Sequence, residues 1–378
     1  MSLDIVVIGL SVTSSWGNGH ATTYRALLAA LARRGHRVTF LERDTPWYRS
    51  HRDLAKPANW TVKLYSELAD VPRLFGGHIR RANLVILGSY VPDGIAIAEW
   101  VTTHAHGVTA FYDIDTPVTL ASLDRGLDYM SAAMIPRFDL YLSFSGGPVP
   151  GMIEDAYGSP MARALYCSAD VGLYRPQTAS PKWALGYLGT YSDDRQPQLE
   201  KLLLAPARAL EGERFVVAGS KYPDDLVWPH NVERLEHLAP REHPTFYARQ
   251  RFTLNATRVD MRALGFSPSV RLFEAAACGS PIISDRWPGI ETIFAPSSEI
   301  LLASHPEEVV EILRDLPEER RRSIAEQARQ RIFREHTPDH RARQLETYYL
   351  EAAERRVGLT RRSATDATLQ TAELQLSR

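Results

Sequence analysis

Apolar positions along the 378-residue chain fall into short continuous runs separated by stripes at helical spacing. Residues 3–9 read as a buried strand. A polar loop over 11–18 follows, then a helix over 22–34 with Leu27, Leu28, Leu31 and Ala32 on one face. Gly35 stops that helix, and residues 36–42 form the next strand. A strand–loop–helix–strand unit predicts parallel strands joined by a right-handed crossover. Further strands are predicted at 82–87, 109–112, 140–144 and 165–167. Three of these end in polar or Gly-containing loops, at 88–90, 113–117 and 145–147. In open α/β sheets such loops lie at the carboxyl ends of strands, where ligands bind.

Residues 174–181 are rich in turn formers and read as a linker. After it the pattern restarts, with strands at 183–189, 215–219, 232–235, 252–255 and 299–302. Helices are predicted at 196–205, 244–249, 306–313 and 318–335. The chain is also too long for one ordinary core. The expected architecture is therefore α/β, with two Rossmann-like domains facing each other across a cleft. The first spans 1–178 and the second 179–340. A C-terminal helix over 341–357, free to pack back on the first domain, precedes a polar tail over 358–378 expected to fray. A cleft between two such halves is a common place for a small-molecule site.

Composition removes several function classes. Hydrophobic residues make up 44% and charged residues 24%, and the formal net charge is −1, so no bulk field recruits nucleic acid or anionic membrane. The two cysteines, Cys167 and Cys278, are too few for a disulfide framework or a zinc site, and the simplest compartment is a reducing cytoplasm. No apolar run is long enough to span a bilayer and none resembles a signal peptide, so any membrane contact would be peripheral.

The most informative stretch is 265–285. It reads as a tight turn, a helix start, a short helix, a glycine stop at Gly279 and a buried strand. Ser267 or Ser269 can cap the helix and Pro268 suits its first turn. Free N–H groups and the positive dipole end suit a phosphate. Arg271 in the first turn is disfavoured by that dipole unless an anion is present, and Glu274 one turn on can accept from sugar hydroxyls. Diphosphate on the turn and ribose on the Glu would make a nucleotide-sugar site. A plainly capped helix with an exposed Arg–Glu pair fits the same letters.

Taken with 113–117, 143–148, 165–170, 186–191 and 254–258, this stretch resembles the GT-B glycosyltransferases over roughly residues 3–350. The nearest resemblance is to the CgeB-like (spore-maturation-protein-like) group, related to the glycogen-synthase-like retaining families. The resemblance implies a hexosyltransferase-type enzyme that uses a nucleotide-sugar donor without cofactor or metal. It places the donor in the second domain and the acceptor in the first. A UDP-sugar is favoured over a dTDP- or GDP-sugar. The acceptor stays open between glycan, lipid-linked glycan, protein and small metabolite. Glu274 matches the second glutamate of the relatives' Glu-x7-Glu motif, which binds the donor ribose. The first glutamate falls on Phe266, so the sugar contact it makes in the relatives has no counterpart here.

Other candidates take their roles from this frame. Gly189-Thr190-Tyr191 follows a strand and can hold phosphate oxygens, although an ordinary βα turn reads the same. Arg258 sits at a strand end with bidentate capacity for phosphate. Arg195 and Lys221 are further cations after strand ends, with solvated surface charge as the alternative. By resemblance the segment with His237 and Leu238 covers the nucleobase. Trp16-Gly17-Asn18-Gly19 forms a flexible cleft loop leading into His20, a candidate base, with a simple helix cap as the alternative. Asp113 and Asp115 invite a metal reading as an Asp-x-Asp pair. They are better placed as acceptor-side carboxylates or a base, or as caps for the helix after Thr116-Pro117. A GT-B epimerase or hydrolase, and a silent nucleotide-sugar-binding protein, remain alternatives to the transferase.

Overall fold

The computed structural model describes residues 2–54 and 56–376, with side chains of the C-terminal helix described as far as 358. Two parallel sheets organise the chain. The first contains β1 (Asp4–Gly9), β2 (Arg37–Arg43), β3 (Thr61–Tyr65), β4 (Leu84–Gly88), β5 (Val108–Asp113), β6 (Leu140–Ser143) and β7 (Ala162–Ala164). Its spatial order is β3-β2-β1-β4-β5-β6-β7. The second contains β8 (Trp183–Leu188), β9 (Phe215–Ala218), β10 (Val232–Leu235), β11 (Gln250–Asn255), β12 (Ile282–Ser284) and β13 (Leu301–Leu302), in the order β10-β9-β8-β11-β12-β13. Both are doubly wound, with strand order reversing beside β1 and beside β8. Every residue of β4 and of β5 is buried, as helices on both faces of a parallel sheet require.

The helices that matter for the site are α1 (His20–Arg33), α2 (Thr116–Ser122), α3 (His243–Ala248), α4 (Val259–Leu264), α5 (Val270–Ala277), α6 (Pro306–Asp315), α7 (Glu318–Glu335) and α8 (Pro338–Leu376). Helix α5 stops as its letters require. Gly279 takes φ +70°, its N–H reaches Ala276 O, and Ser280 N–H reaches Ala275 O, which satisfies the last carbonyls.

Helix α8 returns to the first sheet's side. Arg34 makes a two-point contact with Glu346 at 2.6 Å, and Arg163 pairs with Glu351 at 3.0 Å. Arg341, buried, donates to the carbonyls of Tyr166 (3.1 Å) and Cys167 (3.3 Å). This contact corrects the strand expected at 165–167. Leu165 and Cys167 are buried and Tyr166 is half-buried, but their carbonyls serve side chains: Leu165 O takes Tyr112 OH, and the next two take Arg341. The ladder strand is β7, just upstream. The strand expected at 299–302 shrinks to Leu301–Leu302. The edge strand β3, Thr61 to Tyr65, is mostly exposed, and its polar–apolar alternation is too short to stand out as a strand in the sequence. The helix expected to end at 357 runs on in the backbone to Leu376, through most of the segment expected to fray, and the side chains from 359 lie outside the described residues.

Candidate functional site

The carboxyl ends of the two sheets face a cavity of about 700 Å³. Gly17 to His20 and Asp115 line it from the first sheet's side. Gly189 to Tyr191, Lys221, His237, Leu238, Arg258, Ser269, Arg271 and Glu274 line it from the second.

The floor is built by α5. Ser269 occupies the N-cap position with extended backbone, but its hydroxyl donates to Asn255 Oδ1 (2.7 Å) rather than capping the helix. The first-turn N–H groups are therefore left without a side-chain acceptor. Pro268 precedes the N-cap instead of occupying the first turn. Arg271 folds toward the end of β8. Its Nε donates to Leu188 O (2.5 Å), Nη1 to Asn255 Oδ1 (3.0 Å) and Nη2 to Tyr187 OH (3.3 Å), with the guanidinium 4.5 Å from the Tyr187 ring centroid. The residue is 8% exposed, and these acceptors are all neutral. Gly189 is needed beside it, because a Cβ there would come within 2.7 Å of Arg271 Nη2 and 2.5 Å of Tyr187 OH. Gly219, at φ +152°, allows the β9 loop to approach Gly189 O, where a Cβ would stand at 2.0 Å.

Glu274, one turn along, is 3% exposed. Its Oε2 lies 3.5 Å from Tyr247 OH and 3.6 Å from His243 Nδ1. His243 Nε2 lies 3.2 Å from Leu238 O, so one imidazole joins the segment at 237–238 to the carboxylate. Arg271 and Glu274 are thus both buried at the cavity wall, and the exposed-pair reading of this helix is excluded.

Arg258 spans the cleft. Its Nε pairs with Asp194 (2.9 Å) and its Nη1 with Asp115 of the opposite side (3.1 Å), which also accepts Tyr90 OH (2.8 Å). Arg195 donates from Nη1 to Thr190 O (3.1 Å) and Tyr187 OH (3.2 Å), while its buried Nε has no partner among the described residues. His20 opens α1 with its ring against Tyr90 and its buried Nδ1 unpartnered. Burial holds its pKa below the usual histidine value, opposed by Asp115 and reinforced by Arg258, so the imidazole is neutral near pH 7.

Residues 195–347 match the family model described as Glycosyl transferase-like. Solved structures match over most of the chain. A sucrose-phosphate synthase from Thermosynechococcus elongatus has 13% identity, covers 92% of this chain and 98% of its own, and superposes with a TM-score of 0.66. HepE of Anabaena in complex with UDP-glucose has 14% identity, 91% and 98% coverage, and a TM-score of 0.64. AviGT4, a glycosyltransferase involved in avilamycin A biosynthesis, has 17% identity, 93% and 98% coverage, and a TM-score of 0.61. No curated protein sequence matches the chain. The chain has the GT-B fold.

Within this GT-B fold, four of the sequence candidates stand off the cavity. Asp113 is fully buried and accepts from Tyr141 OH (2.6 Å) and Thr119 Oγ1 (2.8 Å). Burial pushes its carboxyl up to about 6, against the lowering effect of those two hydroxyls. It closes β5 facing Thr119 of α2, while Asp115, beyond the turn, faces the cleft. Ser267 is buried, with its hydroxyl on Gly265 O (2.7 Å) and against Ser145 Oγ (2.5 Å). Pro268 presents its carbonyl to Cys167 Sγ at 3.7 Å. The cause is the turn at Gly265 (φ +72°) and Phe266 (φ +50°), which aims 265–268 at the loop 145–147. The Phe266 ring fills the space a side chain on Gly147 or Gly289 would need, so it sits in the domain junction rather than among the cavity-lining residues. Trp16 lies at the rim, its ring 4.5 Å from His51 and 4.0 Å from His237 across the cleft.

His243 and Tyr247 line the cavity, while Tyr187 holds Arg271 and Arg195 and Asp194 holds Arg258 from behind it; none of the four was among the sequence candidates. Asp194 had one usable signal, the acidic pair Asp193-Asp194 one residue beyond the Gly189-Thr190-Tyr191 turn. The others sit in ordinary strand and helix patterns and gain their role only through packing.

Proposed function

We propose that this protein is a hexosyltransferase-type glycosyltransferase that moves a sugar from a nucleotide-sugar, a UDP-sugar foremost, to a hydroxylated acceptor. The observation that carries the reading is Arg271: a buried guanidinium at a cavity wall whose three acceptors are all neutral. A buried cation without a counter-ion is costly, and an anionic ligand would relieve that cost. Glu274, one turn further into the same wall, supplies the carboxylate for a ribose. The complex of Anabaena HepE with UDP-glucose supports UDP as the carrier.

In this reading Arg271, the first-turn amides of α5 and the Gly189-Thr190 turn hold the diphosphate, with Arg195 beside them. His237 and Leu238 cover the base. The bond from the anomeric carbon to the diphosphate oxygen breaks, and its electron pair leaves with the nucleoside diphosphate. A bond to the acceptor oxygen forms, and the acceptor proton passes to His20 or Asp115 on the opposite wall. Positive charge at the diphosphate stabilises departure without calling on a metal. Retention of configuration and kinship with the CgeB-like group are part of the same proposal, as is a cytoplasmic location.

A second reading, nucleotide-sugar binding without transfer, draws on Phe266, which is turned into the domain junction where the retaining relatives carry a glutamate. A panel of nucleotide-sugars tests both. Stabilisation by a UDP-sugar followed by UDP release is expected. Stabilisation without release, across a broad acceptor panel, would favour the silent binder, and no stabilisation by any donor would overturn both.

A further inference from the structure

A second cavity, of about 440 Å³, shares no lining residue with the donor cleft. Helix α4 stands between them. Its Met261 and N-cap Arg258 face the cleft, while Val259, Arg262 and Ala263 face the second cavity. Three cations from three separate elements converge there: Lys201 from the helical run after β8, Arg262 from α4, and Arg286 after β12.

Negative charge in the cavity is sparse and already engaged. Asp285 Oδ1 accepts from the N–H (3.1 Å) and hydroxyl (2.7 Å) of Thr257. Its Oδ2 is left with Gln198 Nε2 at 3.4 Å and Arg262 at 4.0 Å. Glu308, which acts on Arg286 electrostatically, spends a carboxylate oxygen on the amides of Ser304 and His305 that open α6. Arg286 otherwise reaches a carbonyl, Leu302 O, at 3.4 Å. Among the described residues the long pair of Arg262 with Asp285 is the one ion pair made by these three cations. Like charges gathered round a partly enclosed space repel unless an anion enters it.

We propose that this cavity is a second anion site that takes a phosphoryl group. Two guanidinium forks and an ammonium on different walls match a multiply charged tetrahedral anion, whereas a single carboxylate would leave part of the charge uncompensated. Gln198 and Ser304 add polar groups beside the cations, and Val259, Ala263 and Ala303 give an apolar patch. The volume lies in the range of small-molecule pockets and exceeds what a bare phosphate fills, so the cavity has room for a carbon skeleton on the phosphoryl group. The shared chemistry is phosphate, either as the free ion or as a phosphorylated metabolite.

The test keeps UDP at saturation so that the donor cleft is filled, and titrates inorganic phosphate and glucose 6-phosphate by calorimetry. Wild-type protein should bind one further equivalent. The double variant Lys201→Gln with Arg286→Gln changes an exposed and a half-buried position. It should weaken that binding about tenfold or more and leave UDP affinity unchanged. Tighter binding of the hexose phosphate would assign an organic ester, and equal affinity would assign the free ion. No binding to UDP-loaded protein, or unchanged binding in the double variant, would overturn the site. Should UDP itself fail to bind, the same titration on ligand-free Arg271→Met protein separates the two ideas. The second site should persist there, and its absence would sink it independently of the donor cleft.

Discussion

Replacing Arg271 by methionine separates a ligand-binding guanidinium from a structural one. The side chain sits 8% exposed and makes three hydrogen bonds to neutral acceptors. Without a ligand, methionine keeps much of the volume and removes a buried charge that has no carboxylate partner among the described residues. Asn255 Oδ1 keeps the hydrogen bond from Ser269, so the groups newly unpaired are Leu188 O and Tyr187 OH, and Tyr187 retains Arg195. One or two under-satisfied acceptors cost about 1–2 kcal/mol, offset in part by the lost desolvation penalty. The unliganded variant should therefore be nearly as stable as wild type, within about 2 kcal/mol by denaturant unfolding.

The bound state should respond differently. One bidentate, charge-assisted contact with a diphosphate is worth roughly 3 kcal/mol, or about a 150-fold change in Kd. At a UDP concentration about 100 times the wild-type Kd, binding adds about 2.7 kcal/mol to wild-type stability. With a Kd some 150-fold weaker, the same UDP adds about 0.3 kcal/mol. Calorimetric titration with UDP, paired with unfolding in its presence and absence, reads both quantities. The reasoning fails if Arg271→Met binds UDP within about threefold of wild type. It fails equally if the unliganded variant loses several kcal/mol while the UDP-induced gain survives.

Glu274→Gln should weaken UDP by about tenfold while sparing inorganic pyrophosphate, the pattern the proposed ribose contact requires; equal loss for both ligands in calorimetry would remove that role. Asp113 has a folded-state pKa raised to about 6 from 3.8, so the folded form holds its proton more tightly. Its contribution to unfolding free energy is then greatest below about pH 4 and falls as pH rises to about 6; Asp113→Asn should flatten that slope in urea titrations, and an unchanged slope would refute the assignment. Glu42 is fully buried and accepts from Ser11 Oγ (2.9 Å), Val12 N (2.8 Å), Thr13 N (3.0 Å) and Thr13 Oγ1 (2.6 Å), which fixes the loop leading to His20. Glu42→Ala strands four donors and should cost about 3 kcal/mol or more, with faster amide exchange concentrated at 11–18; protection unchanged there would show that the loop is held by something else.

What was legible in the chain follows from the range over which each feature is decided. The doubly wound halves were readable because each βα unit is local: an apolar run, a polar turn and a stripe such as Leu27, Leu28 and Leu31 specify their own period. The placement of Arg271 and Glu274 one turn apart on the same helix was readable for the same reason, since one turn of helix fixes their relation. Features decided across the domain junction were not. Ser267 and Ser269 are equivalent as letters, yet the positive φ of Gly265 and Phe266 turns one toward Ser145 and leaves the other at the cavity. Asp113 and Asp115 form a symmetrical pair in the sequence, but β5 ends between them, and each answers to a different set of hydroxyls and cations. Arg258 illustrates the limit most directly. Its strand-end position suggested a phosphate ligand, whereas its two carboxylates come from Asp194, 64 residues upstream, and Asp115, 143 residues upstream. A local pattern can nominate a cation for a cleft. Which of the cleft's cations keeps charge to spare is set by distant partners, and by that criterion Arg271, with three neutral acceptors, is the stronger candidate of the two for the proposed phosphate contact.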